Sequence, residues 1–242
     1  PLPCVMPTLG HGIKGREALF AALKMNDLIS FDRNNTNDPQ KHLPNGKIIS
    51  KRQLQEILPG INDADFSGGA LWHDCQVYNS ERLLLSLIKG AVAKGASVAN
   101  YASVTGIVQE NNQVRGVKVQ DQETGIEHEI NAKLVLNCSG PWVNEFLALS
   151  QQTQIAEPIL FSKAMNLVVK RQLIEKYAAG IPSKTEFVDK DAVFKTGSRM
   201  LFVAPWRQYS MIGTTHLPFQ GDSIDFAITE ADIVEFLDEF NK

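Results

Sequence analysis

The chain has 242 residues, 43% of them hydrophobic and 21% charged, with a formal net charge of −3. That length and apolar content suit one large globular domain or two modest ones, and the lack of a basic field argues against nucleic acid as a partner. No apolar run reaches the roughly 20 residues of a membrane span and none reads as a signal peptide, while three widely separated cysteines, Cys4, Cys75 and Cys138, favour reduced thiols in a reducing, cytoplasmic compartment.

Arg16 to Ile29 reads as a helix, with Leu19, Phe20, Ala22 and Leu23 on overlapping faces. Just before it, Gly10-His11-Gly12-Ile13-Lys14-Gly15 matches the dinucleotide fingerprint. That fingerprint needs a buried strand ahead of it, and three prolines in the first nine positions argue against a central strand. The segment therefore reads as a glycine turn. Asp32 to Gly46, rich in Asn, Asp and Pro, is a loop. Ser50 starts a helix, with Gln53 completing a capping box and Ile49 stapled against Leu54, and Pro59-Gly60 ends it. Phe66-Ser67-Gly68-Gly69 reads as a turn before a strand Ala70-Leu71-Trp72. His73-Asp74-Cys75 cannot converge on one metal, because strand side chains alternate faces.

Asn79 or Ser80 caps the next helix, whose apolar positions are Leu84, Leu87, Ile88 and Ala91 and whose C′ glycine is Gly95. Ser97 to Tyr101 is expected as a short strand. Val104–Gln109, Val114–Val119 and Glu127–Ile130 follow as an antiparallel meander, with turns at Asn111-Asn112 and Glu123-Thr124-Gly125. The meander delivers the chain to a strand over Lys133–Asn137. Helix, meander and strand are expected to pack as one unit. A helix from Trp142 to Leu147, a strand Met165–Val169 and a helix from Arg171 to about Ala178 come next. Ile181 to Ser198 reads as loop. Met200–Ala204 and Tyr209–Thr214 are strands joined at Arg207-Gln208, Gly221-Asp222 is a turn, and Thr229 caps a last helix with apolar Ile233, Phe236, Leu237 and Phe240.

The segment with most chemical content is Asn137-Cys138-Ser139-Gly140-Pro141-Trp142. An apolar run, Leu134-Val135-Leu136, ends in small residues and then in a proline where a helix can begin. Small residues at a strand end let a ligand approach the backbone, and open α/β sheets place ligands there. The same pattern also serves an ordinary strand–turn–helix corner. Ile212-Gly213-Thr214-Thr215-His216 carries hydroxyls that either serve a ligand or serve strand propensity.

In this order and spacing, N-C-S-G-P-W, Phe202-Val203-Ala204-Pro205-Trp206 and Ile212-Gly213-Thr214-Thr215 resemble the FAD-dependent glycerol-3-phosphate dehydrogenases, within the D-amino-acid-oxidase-like flavoproteins. Pro1 to Pro7, Asp74-Cys75-Gln76-Val77 with Glu81-Arg82-Leu83, Lys163 to Val169, Gly221-Asp222 and the Thr229-Glu230 helix extend the resemblance over most of the chain. It implies an α/β fold made of two parts: the remainder of an FAD-binding, Rossmann-like domain over residues 80–150, and an antiparallel-sheet substrate domain built from 1–79 and 151–242. The chain, with Pro1 first, reads as an internal fragment. On this resemblance an amino-terminal FAD strand with its glycine motif precedes it, and phosphate-binding arginines follow it.

The resemblance further implies FAD as cofactor of the intact protein and oxidation of sn-glycerol 3-phosphate to dihydroxyacetone phosphate. Electrons would pass on to a quinone or oxygen, and the intact protein could sit peripherally on the inner membrane face. Ser139, Gly140 and, by resemblance alone, the backbone at Val104 would line the adenosine side of FAD, with Cys138 and Trp142 in the same cofactor-binding group. Asn166 would face the substrate hydroxyl as the catalytic residue, with Thr215 binding substrate nearby. The chain departs from the family pattern in three places. Asn166 stands where many members carry histidine, His216 where aspartate is common, and Tyr78-Asn79 where an aspartate pair is common. Asparagine can hydrogen-bond but cannot act as a general base. These departures leave open another small hydroxy or amino substrate on the same fold, or a non-catalytic binding module.

Overall fold

The computed structural model describes residues 1–12, 15–61, 66–149, 159–188, 196–219, 221 and 226–241, with the backbone alone described at 184–188 and 196–199. The described chain divides into two compact units. The first comprises Pro1–Tyr78, Ala164–His216 and Ile228–Lys242, the second Asn79–Lys163 and Leu217–Ala227.

A seven-stranded sheet dominates the first unit. Its strands are β1 (Leu2–Leu9), β2 (Lys47–Ser50), β3 (Phe66–Asp74), β7 (Phe161–Val169), β8 (Ala178–Val188), β9 (Thr196–Trp206) and β10 (Tyr209–Phe219), in the order β2-β3-β1-β8-β9-β10-β7. β1 runs parallel to β8, while β2–β3, β3–β1, β8–β9 and β9–β10 are antiparallel. The sheet thus joins strands from both ends of the chain, and Met165–Val169 and Met200–Thr214 share it.

One lateral row sets its core. Leu71, Val5, Ala179, Val203 and Ile212 lie directly opposite one another across β3, β1, β8, β9 and β10, and all five are buried. Helix α2 (Lys51–Ile57) covers one end of the row with Leu54, next to Ile49 and Leu58. Helix α5 (Glu230–Asn241) covers the other end with Phe236, beside Met165 and Leu201. Burying a leucine or phenylalanine in this way contributes about 1.5–3 kcal/mol each. Both helices begin as expected. Ser50 and Gln53 form the full capping box, and Thr229 Oγ1 accepts from the Asp232 N–H at 3.3 Å while Asp232 Oδ2 accepts from the Thr229 N–H at 2.8 Å. Ser183 Oγ donates to Glu239 Oε1 at 2.8 Å, tying α5 to β8.

Several expectations are corrected in this unit. The proline-rich start is a central strand: Pro3 and Pro7 have like parity, so their missing N–H groups face the same neighbour, and β1 meets β8 only at Cys4 and Val5. A strand therefore does precede Gly10-His11-Gly12, contrary to the ground for reading that segment as a turn alone, although Ile13 and Lys14 lie outside the described residues. Phe66 to Gly69 belongs to β3 rather than to a turn. A methyl on Gly68 would overlap the Ile49 carbonyl, so glycine serves the close passage of β2. The expected helix after Arg171 is absent. Leu173 N–H donates instead to the fully buried Ser210 Oγ at 2.8 Å, and Ile174 packs against both core clusters. Ile181 to Ser198 is not loop throughout, because paired strands β8 and β9 occupy both of its ends. Asp222, and with it the expected turn at Gly221-Asp222, lies outside the described residues.

The second unit holds α3 (Ser80–Ala93), the three-stranded sheet of β4 (Ala102–Glu110), β5 (Gln113–Asp121) and β6 (Glu127–Asn131), and α4 (Val143–Ala148). The Asn79 side chain caps α3 through the Arg82 N–H at 2.8 Å. Gly95 follows the helix at φ +95°. Asn111 and Asn112 both take positive φ, as a tight hairpin turn requires. The packing differs from expectation. α3 buries no residue, and Leu84 and Leu87 stay exposed. Ser97–Tyr101 and Lys133–Asn137 form no strands, and Leu134 and Leu136 are about three-quarters exposed, at 73% and 76%. An extended run becomes a strand only beside a hydrogen-bonding ladder; Ser97–Tyr101 has one such bond, Gln122 N–H to Tyr101 O at 2.8 Å, and neither run pairs into a sheet among the described residues.

Helix α1 (Arg16–Ile29) is anchored by one polar knot. Arg33 donates to Asp27 Oδ1 at 2.9 Å, Asn45 Oδ1 at 2.6 Å, Ser30 Oγ at 2.9 Å and Leu43 O at 3.4 Å. Gly46 N–H also donates to Asp27 Oδ1, at 3.3 Å. Burial alone would raise the Asp27 carboxyl pKa, but Arg33, the Gly46 N–H and Lys24 outweigh it and hold the group below its ordinary value. Arg33→Ala should therefore cost about 2 kcal/mol in denaturant unfolding. With its folded pKa depressed, Asp27 contributes stability above its unfolded pKa of about 4 and loses it as pH falls through the folded value. The stability gap between the wild type and Asp27→Asn should be full at neutral pH and shrink on acidification toward pH 3; a gap that grows instead would contradict the assignment.

Candidate functional site

Alternation about the core row puts Trp72, Cys4, Ala178 and Phe202 on the opposite sheet face, where Cys4 and Ala178 are buried and Trp72 and Phe202 are part-exposed. On that face Phe202 lies directly between Gly180 of β8 and Gly213 of β10. A methyl at Gly180 would touch the Phe202 ring at 3.1 Å, so the ring leans over that glycine. Trp72 meets Phe202 edge to face, with centroids 6.4 Å apart. Gln76 reaches the same strand group, donating from Nε2 to Pro205 O at 2.9 Å while its buried Oε1 has no partner among the described residues.

Asn166 completes this row from β7. Its neighbour Met165 points into the core, and Asn166 is exposed. Thr214 Oγ1 donates to Asn166 Oδ1 at 2.9 Å. A methyl on Gly213 would overlap that same oxygen, so only glycine leaves room for the amide. Thr215, the residue expected beside Asn166, is buried, at 3% exposure. The hydroxyl bonded to Asn166 belongs to Thr214. β10 also runs on to Phe219, which places these threonines inside a strand rather than at its end.

The second group of expected residues lies on the loop that precedes α4. Asn137 Oδ1 accepts from both Ser139 N–H, at 3.1 Å, and Ser139 Oγ, at 2.7 Å. Asn137 Nδ2 is buried and has no partner among the described residues. Gly140 takes φ +60°, with open space where a side chain would begin. Cys138 and Trp142 are exposed. Val104 is part-exposed on β4 of the same unit. The buried Cys4 is a different kind of thiol. Burial first, and Asp74 second, push its pKa up to about 11, which keeps it protonated and unreactive.

The sequence reading named the segments that hold Gly213, Thr214, Gln76 and Asn137 without singling out these residues, and put Thr215 rather than Thr214 beside Asn166. Periodicity does not separate Thr214 from Thr215, because the choice depends on how β10 lies against β7. Asn137 did carry a signal, as the first residue of the N-C-S-G-P-W motif.

The family model described as FAD dependent oxidoreductase (DAO) matches residues 13–242, and the chain belongs to that family. A glycerol-3-phosphate dehydrogenase of Synechocystis sp. is 28% identical over a 250-residue alignment that takes in 97% of this chain and 42% of that protein. An alpha-glycerophosphate oxidase of Enterococcus casseliflavus is 29% identical over 187 residues, 77% of this chain and 29% of that protein. The solved structure of a glycerol-3-phosphate dehydrogenase from Bacillus halodurans, complexed with FAD, shares the fold with a TM-score of 0.64 at 23% identity, covering 99% of this chain and 39% of that one. The chain therefore spans less than half the length of these relatives.

The Gly213 contact is open to a direct check. Gly213→Ala should cost about 1–3 kcal/mol in denaturant unfolding through overlap with the Asn166 amide. Combining it with Asn166→Ala should recover part of that loss in a double-mutant cycle. Additive losses would mean that the two residues do not touch.

Proposed function

We propose that this chain is part of an FAD-dependent enzyme that oxidises sn-glycerol 3-phosphate to dihydroxyacetone phosphate. The observation that carries the reading is the match of nearly the whole chain to a relative named for that activity. Similarity to an oxidase as well as a dehydrogenase leaves oxygen or a quinone as the onward electron acceptor. No helix among the described residues is long and apolar enough to cross a membrane.

The chain's own residues fit an FAD edge at the Asn137–Gly140 loop. Asn137 Nδ2 is a buried donor lacking an acceptor, Gly140 leaves its approach open, and Ser139 is held in place by Asn137. Asn137, Ser139 and Gly140 would hold the cofactor, with Val104, Cys138 and Trp142 around them. When bound, FAD supplies a hydride acceptor for the alcohol carbon. The protein's task is placement. Asn166, fixed against β10, would orient the substrate hydroxyl, and Thr215 would help shape the pocket from within the strand. An asparagine cannot remove the hydroxyl proton, which then passes to water.

Asn166 in the position where many family members carry histidine motivates a second reading, in which the same fold acts on another small hydroxy or amino compound. Anaerobic flavin bleaching of the holoenzyme distinguishes the two. Glycerol 3-phosphate should reduce the flavin faster than a panel of small hydroxy and amino acids; bleaching by one of those and not by glycerol 3-phosphate would overturn the first reading. Asn166→Ala should slow bleaching by about 100-fold, the scale of a lost placement, and Asn166→His should retain or raise it. Gly140→Val, at a left-handed position, should lower the bound flavin per protein, measured by absorbance; full occupancy with an intact fold would count against that loop.

A further inference from the structure

We propose that Thr214 is a positioning residue. It fixes the Asn166 carboxamide with its NH2 group toward the open face, so that the site offers the substrate oxygen a hydrogen-bond donor and no proton acceptor. The inference rests on the reading above in one respect, that Asn166 faces the substrate.

A carboxamide has two ends of opposite polarity, and a hydroxyl opposite it can donate to the oxygen or accept from the NH2 group. Here Thr214 Oγ1 donates to Asn166 Oδ1 at 2.9 Å. The same Oδ1 lies flush against Gly213, in the space a Cβ would take. The acceptor end of the amide is thus both hydrogen-bonded and packed onto β10. The donor end makes no hydrogen bond among the described residues, and Asn166 is exposed on the sheet face that carries Phe202 and Trp72. Rotating the amide by half a turn would set Nδ2 against the Gly213 backbone and surrender the Thr214 bond in its present sense.

The chemical consequence is a preference. An N–H donor bonds an alcohol oxygen through a lone pair, and it bonds the ketone oxygen formed when that alcohol is oxidised at least as well. The arrangement thus favours a substrate whose reacting oxygen gains negative character as its proton passes to water, the hydride leaving the carbon for the flavin. It gives nothing to a group that must itself donate, such as a protonated amine. Among the two substrate classes considered above, it selects hydroxy compounds.

The test uses the flavin-loaded holoenzyme, with selective 15N labelling of asparagine so that the Asn166 side-chain amide is also read directly. Thr214→Val removes the hydroxyl at nearly constant volume and Thr214→Ser keeps it. Thr214→Val should shift the Asn166 amide resonances and lower the rate of flavin reduction about tenfold, the worth of one hydrogen bond, and Thr214→Ser should restore both. Asn166→Asp keeps the acceptor for Thr214 but replaces the donor with an anionic base. It should be as slow as Asn166→Ala. Unmoved amide resonances in Thr214→Val would overturn the pairing, and an active Asn166→Asp would overturn the donor role. If Asn166→Ala slows reduction and Thr214→Val does not, only the role of Thr214 fails. If Asn166→Ala itself leaves reduction unchanged, the reading that puts Asn166 at the substrate fails with it.

Discussion

The first unit depends on one line of contact, the row Leu71–Val5–Ala179–Val203–Ile212 that crosses five strands. Each member is buried, and the row is small in the middle, at Ala179, and larger at the ends. The two helices that cover it sit over the larger ends, with Leu54 on one side and Phe236 on the other. Because strand side chains alternate, committing this row to the core commits the next residue on each strand to the other face. A register slip of one residue would turn Trp72 and Phe202 onto the core face and take Leu71 and Val203 off it. The register of the core and the existence of the open face are therefore the same fact.

That open face carries the candidate chemistry because its side chains are unusual for a sheet. Gly180 and Gly213 flank Phe202, and glycine inside a strand is unfavourable unless something lies close above it. Above Gly180 it is the Phe202 ring. Above Gly213 it is the Asn166 amide. Both glycines are thus accounted for by neighbours on the open face, and both neighbours have their positions narrowed by the lack of a Cβ beneath them. A flat apolar floor with one oriented polar group at its edge is what a positioning site needs, since the rate gained from placement depends on how little the placed group can move.

How much of this was legible in the sequence follows from the range over which each feature is encoded. Capping boxes at Ser50 and Thr229, the Asn79 cap, the Gly95 terminus and the Asn111-Asn112 turn are set within a few residues, and all stand as read. The misread segments are those where a distant partner decides. Pro1 to Leu9 becomes a central strand because β3 pairs along its whole length. Ile181 to Ser198 is polar, yet its ends extend because the two arms satisfy each other's backbone. Lys133–Asn137 shows the reverse, with strand-like composition and no neighbour among the described residues. Composition gives a segment's preference; pairing decides its state.

The same distinction separates the two candidate features, one in each unit. The Asn137–Trp142 loop is a local device. Asn137 orders Ser139 two residues on, Gly140 turns the chain, and Pro141 opens the next helix, so a six-residue window contains the whole arrangement. The sheet face is assembled from Trp72, Gln76, Asn166, Phe202, Gly213 and Thr214, brought together from opposite ends of the chain by strand pairing. No window contains it, and the resemblance put Thr215 beside Asn166 where the bonded hydroxyl is that of Thr214. Thr214 and Thr215 have equal propensity and adjacent positions, and differ only in what lies across from them. One is buried within the strand and the other holds the amide of a residue 48 positions away. The setting of the Asn166 amide therefore depends on the pairing of β10 with β7, and not on the identity of Asn166 alone, because the same asparagine without a hydroxyl opposite would be free to present either end of its amide.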